Sequence, residues 1–162
     1  MAVSISTFLA TAIWNSAANG GHTMADAMAN GVIEVYGVTS RPVNADAAIP
    51  SGSVLLGYVT NGGGAFTAGS PTNGINFGAV SNGVMGKATS ENWQFTAIAA
   101  GQATWMRHKG NPADPGAAST AFARIDSTIA TFGGDVTMLN TTIAVGDVHT
   151  FNGVAFNIVV GI

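Results

Sequence analysis

The sequence contains no cysteine. That absence removes disulfides, thiol catalysis and thiolate-bound metal together. Charge is nearly as scarce. Asp, Glu, Lys and Arg make up 8% of the 162 residues, against about 25% in an ordinary soluble domain. Five basic residues against eight acidic ones form no basic patch, which disfavours nucleic acid as a partner. No apolar run reaches the length of a membrane-spanning helix. The first basic residue is Arg41, so the charged start of a secretory signal is missing as well. The expectation is synthesis in the cytoplasm, with neither membrane nor nucleic acid as a partner.

What is present is polar without being charged: 11 Ser, 17 Thr and 13 Asn, beside 47% hydrophobic residues. A chain of this length can bury roughly 70% of its unfolded surface in one core. Free monomers ordinarily stay soluble through dispersed charge. So little of it points to a surface covered by copies of the chain or by other proteins. A Thr/Asn-faced β domain that is soluble alone is the plainer alternative.

Residues 1–30 read as a helical N-terminal arm. Phe8, Leu9, Ala12 and Ile13 recur at helical spacing behind a Ser6 or Thr7 cap, and Gly20-Gly21 ends the pattern. Thr23 opens a second short helical stretch, Met24 to Ala29. From Gly31 the period changes to two, and residues 31–162 read as a β-sandwich domain. Val32, Glu34 and Tyr36 alternate with Ile33 and Val35, and Trp93, Phe95 and Ala97 share a face. The segment 135–143 reads as one strand. So does 149–160, with Val154, Phe156, Ile158 and Val160 on one side. The glycines and proline of 61–74 forbid a regular element there. Around eight strands with Gly-rich turns predict a mainly β fold, an antiparallel β-sandwich or barrel-like domain.

Catalytic and cofactor signatures are missing. His22, His108 and His149 have no partner at metal-ligand spacing. The stretch "GVMGKA" echoes a phosphate loop, yet Ser81 stands at its first glycine and Ala88 at its magnesium ligand. The acids are too dispersed for a calcium loop or a readable carboxylate pair. The chain is therefore expected not to be an enzyme, with no catalytic, cofactor-binding or metal-binding residue to name and no cofactor.

The densest stretch is "ATWMRHKG", residues 103–110. As a strand it puts Ala103, Trp105 and Arg107 on one face and Thr104, Met106 and His108 on the other. It predicts a buried Trp105, an Arg107 paired with Asp126 or Asp135, and a Lys109 reaching solvent. Trp105 and Arg107 are equally the residue types enriched at interface hot spots. The uncharged run with Phe8, Leu9, Ile13 and Trp14 would be an exposed apolar patch if it stood alone. These six are the candidate interface residues. The N-terminal run either clamps a partner or folds back on its own domain.

The ordered set Tyr36, Gly37, Pro42, Ala45 to Ala48, Gly52, Leu55-Leu56, then Ala103, Thr104, Trp105 and Arg107, then Gly134-Asp135, Leu139-Asn140, Ile143 and Gly146 resembles a family of small virion structural proteins of tailed bacteriophages. The "HKGNPADPG" loop and the Gly-rich 61–78 segment depart from that pattern. The resemblance implies a capsid decoration (cement) protein on the virion's outer shell, acting as a homo-oligomer, dimer or trimer. Its partners would be the major capsid protein and copies of itself. A head–tail connector or tail component is the alternative within that class. A carbohydrate-binding module, with Trp93 beside Asn92, is the alternative outside it.

Overall fold

β-Branched and aromatic residues concentrate in the runs between the glycine-rich turns, and those runs become strands. The structure, a computed structural model, describes residues 3–15, 23–81, 84–152 and 155–157. The expected helix stop at Gly20-Gly21, His22, and Val154, Ile158 and Val160 lie outside them. The longest strands are β2 (Val32–Gly37), β3 (Val54–Asn61), β6 (Gly101–Lys109) and β7 (Arg124–Ala130). Shorter ones are β1 (Ser4–Ile5), β4 (Val84–Gly86), β5 (Trp93–Thr96), β8 (Val136–Thr137), β9 (Thr142–Ile143), β10 (Val148–Phe151) and β11 (Ala155–Asn157). Two short helices, α1 (Thr7–Trp14) and α2 (Met24–Met28), precede the long strands. The fold is mainly β, as expected.

One hydrogen-bonded path runs β1-β7-β6-β2-β3-β5-β10. β9 joins it on β6 and β8 on β7; β4 and β11 form a separate pair. Every pairing is antiparallel except β7 with β8. The path curls, because residues from its far ends share one core. Phe151 of β10 and Ile129 of β7 lie in the same cluster as Ile33, Val35, Leu56, Phe95 and Met106. The result is a barrel-like shell around its main apolar interior.

Two irregularities help to curve it. The β2–β6 register steps from Tyr36↔Trp105 to Gly37↔Ala103, leaving Thr104 as an extra residue. The β2–β3 register steps from Val35↔Gly57 to Tyr36↔Leu55, leaving Leu56 extra. Bulges of this kind bend a strand and increase its twist. They also reset which way side chains point. Ala103 joins Met106 in the core, so Ala103, Trp105 and Arg107 do not share one face as strict alternation requires. Gly57 permits a close approach inside the shell: a Cβ there would collide with the Phe95 ring.

The first described residues dock on the sheet. β1 pairs with β7, Ser4 opposite Asp126 and Ile5 opposite Ile125. Ser6 caps α1 by accepting from the Leu9 N–H at 3.2 Å, and its own N–H donates to the Arg124 carbonyl at 3.0 Å. Leu9, Met28, Ala123 and Ile125 then close a second apolar cluster. Thr23 and Asp26 form a capping box at α2, which holds that turn in a helix too short to be stable by itself.

Two expected strands are broken. Segment 135–143 divides into β8 on β7 and β9 on β6. Within the expected 149–160, the described residues divide between β10 on β5 and β11 on β4. In each case the hydrogen-bond partner changes near the polar break in the segment, Asn140-Thr141 in the first and Asn152-Gly153 in the second. Among the described residues no helix is long and apolar enough to cross a membrane.

Candidate functional site

Five of the thirteen charged residues are gathered on the outer face of β2, β6 and β7. Glu34 of β2 lies opposite Arg107 of β6, which lies opposite Asp126 of β7. Lys109 and Arg124 stand opposite one another one step along the same face. Spacing of i, i+2 in adjacent strands brings them together. Arg107 donates through Nε and Nη2 to the two oxygens of Asp126, both at 2.8 Å, and neither side chain reaches solvent. Arg124 grips Asp114 in the same forked way, at 2.7 and 2.6 Å. Lys109 Nζ lies 2.7 Å from Glu34, whose carboxylate also accepts from the Tyr36 hydroxyl at 2.7 Å. Three cations thus meet three carboxylates in the interior.

Two loops roof this layer, and the cations hold them. Arg107 donates to the Ala47 carbonyl at 3.0 Å, Arg124 to Ala117 at 2.8 Å, and Lys109 to the Asp114 carbonyl at 3.0 Å. From the other side the Tyr36 and Trp105 rings stack at 4.5 Å, with the Arg107 guanidinium 5.8 Å from the indole. At the bulge, Val38 adopts φ 75, and the Thr39 N–H donates back to Gly37 at 3.0 Å. A β-branched residue there is strained. The tight turn places Thr39 where its carbonyl receives the Thr104 hydroxyl at 2.6 Å and its Oγ1 the Trp105 Nε1–H at 3.3 Å.

The electrostatics follow from that enclosure. Burial acts to lower the Arg107 pKa, but the hydrogen bond and charge of Asp126 overcome it and hold the guanidinium above its usual value. Burial likewise works to raise Asp114, and the Arg124 fork with the Gly116 N–H holds it below the usual range. Burial, reinforced by Glu34, pushes the Tyr36 phenol far above its ordinary value. Every carboxylate in the layer is engaged by a cation. The arrangement is a clamp that ties loops to sheet, with no free base opposite a nucleophile. Among the described residues, no three of His, Asp and Glu converge as a metal site would need.

On the inner face His108 is buried, and neither ring nitrogen has a hydrogen-bond partner. The Phe77 and Trp93 rings lie 5.2 and 5.9 Å from it. Burial lowers its pKa to about 3, so the imidazole is neutral.

The six candidate interface residues separate. Leu9, Trp105 and Arg107 are buried inside the chain itself, because the N-terminal run folds back on β7 and the roof loops cover the sheet. A partner cannot reach them. Phe8 and Ile13 pack half-buried against the second apolar cluster. Only Trp14 projects, at 83% exposure. Lys109, expected in solvent, is instead 5% exposed and paired. Asp126 is the partner of Arg107; Asp135 closes its own loop by accepting from the Thr128 N–H at 2.9 Å and hydroxyl at 2.8 Å. Trp93 is buried and its Nε1–H donates to Glu91 at 2.7 Å, so it offers no stacking face to a sugar.

Burying the ion pairs strips the exterior. Of the five basic and eight acidic residues only Asp26 is exposed, and it caps α2. Meanwhile Trp14, Val43, Ile98, Phe132, Leu139, Val145 and Val148 are among the large apolar side chains that face outward. No protein-family model, curated protein or solved structure matches the chain.

Proposed function

We propose that this protein is a non-catalytic structural component of a tailed-bacteriophage virion, a decoration protein that binds the head shell and adds contacts between its subunits. The observation that carries the reading is the exterior: almost no exposed charge, with large apolar residues where a free monomer would carry ionised ones. Such a surface suits a molecule covered by neighbours. The buried clamp supports the same reading. It makes a rigid body whose loops are fixed before binding, which lowers the ordering cost of association. The bacteriophage assignment itself rests on the sequence resemblance. The shell's major capsid protein is the partner it implies, and the virion surface the place.

Quantitative mass spectrometry of purified particles of the encoding phage tests this. Hundreds of copies per particle are expected. A dozen or fewer would favour the connector or tail reading, and absence from the particle would overturn the proposal.

A further inference from the structure

The exposed apolar residues are not scattered evenly. Ile98 follows Ala97, whose N–H donates to the Asp147 carbonyl at 2.8 Å and whose carbonyl accepts from Gly146 at 2.9 Å. That pair of hydrogen bonds fastens the 97–100 turn, which carries Ile98, to the 144–147 turn, which carries Val145. Val148 begins β10 opposite Thr96. Leu139 lines a groove with Val148 and Thr150 along the same strand. Ile98, Leu139, Val145 and Val148 are 56% to 101% exposed. All four lie on β10, on the turns that bond to its start, or along its groove.

Among the described residues β10 is also the last strand on the hydrogen-bonded path. Edge strands are usually guarded against pairing by Lys, Pro or inward charge, and Val-His-Thr-Phe carries none of these guards. The nearest ionised side chain, Asp147, accepts from the Ala144 N–H at 2.8 Å within its own turn. Nothing of like charge would repel a second identical surface.

We infer that this face is where a second copy of the chain docks, the same face on both partners with β10 at its centre. Size supports that occupant. Four residues at these exposures offer on the order of 500 Å², in the upper part of the roughly 300–600 Å² spanned by the largest, often functional, apolar patch of a monomer and well over half of the roughly 800 Å² each partner buries in a standard interface. The Thr and backbone surface of β10 supplies the polar remainder. A two-fold axis through the face sets each β10 antiparallel to its copy, the isologous geometry that closes on itself.

This deepens the assembly reading by naming one partner and one face, and it is measured without phage. Sedimentation velocity of the isolated full-length chain across a micromolar concentration series should show a concentration-dependent dimer. Leu139→Asp and Val145→Asp lie in turns outside the β ladder. Each should weaken association at least tenfold while near-UV circular dichroism and melting temperature stay native. Val43→Asp, on the exposed roof loop, should leave it unchanged. Wild type that remains monomeric throughout, or folded Asp variants that associate as wild type does, overturns the inference. So does Val43→Asp dissociating the dimer as well as they do. A monomer that still binds heads overturns only the docking face; a dimer absent from virions overturns only the decoration reading.

Discussion

His108 holds a neutral imidazole at 1% exposure with both nitrogens unpaired. The unfolded chain binds a proton there near pH 6.5, while burial defers it to about 3 in the fold. Stability from the neutral ring is therefore complete above about pH 6.5 and is lost progressively as pH falls toward 3. By pH 5 the loss is about 2 kcal/mol. The unfolding free energy from urea titration should be lower at pH 5 than at pH 7 by that amount in wild type, and by clearly less in His108→Leu. Asp114, held below the usual carboxylate range, loses its contribution only at lower pH, so the two effects separate. The Arg107–Asp126 pair behaves differently. Removing one partner strands a buried charge, so Asp126→Asn should cost about 3–5 kcal/mol. The double replacement Arg107→Met with Asp126→Leu should cost less than the single one, measured by denaturant unfolding. An additive double mutant would show that the two groups act separately.

At the scale of elements, the N-terminal run decides between a free arm and a docked one. Ser6 and Leu9 are buried against β7 and its flanks. Deleting residues 1–14 should leave Met28, Ala123 and Ile125 uncovered, lowering the melting temperature and raising binding of an apolar dye. A truncated chain that melts like the full one would show that this docking contributes nothing. The helices and their Ser6 and Thr23 caps were legible because capping chemistry is local. The outer strands were less so. In 135–143 and 149–160, each read as a single strand, Asn140-Thr141 and Asn152-Gly153 were passed over, and the change of partner there is defined only by the sheet path. The charge clamp was half legible. Arg107 with Asp126 could be named, yet Lys109 looked like a strand leaving the core. The missed signal was parity: Arg107 and Lys109 in one strand, Arg124 and Asp126 in the next, all at i, i+2. What covers their face is two irregular loops, which have no periodicity to read.

Across the whole molecule, the charged residues point inward and apolar ones outward to a degree that sets its response to solvent. Contacts made through this exterior should be nearly indifferent to ionic strength, since screening acts on exposed charge. Head binding measured between 50 mM and 500 mM NaCl should change by less than about threefold, whereas an interface built on ion pairs would weaken steeply. The inward clamp also bears on digestion. Trypsin cuts only after Lys or Arg, and Arg107, Lys109 and Arg124 lie buried in strands. Arg41 is followed by Pro42, a bond the enzyme does not accept. Lys87 remains, half-buried, with its ammonium on the Glu91 carbonyl. The native protein should outlast trypsin for hours and, when it yields, be nicked first between residues 87 and 88. The side chains that lock the roof to the sheet are the same ones a protease would need to find.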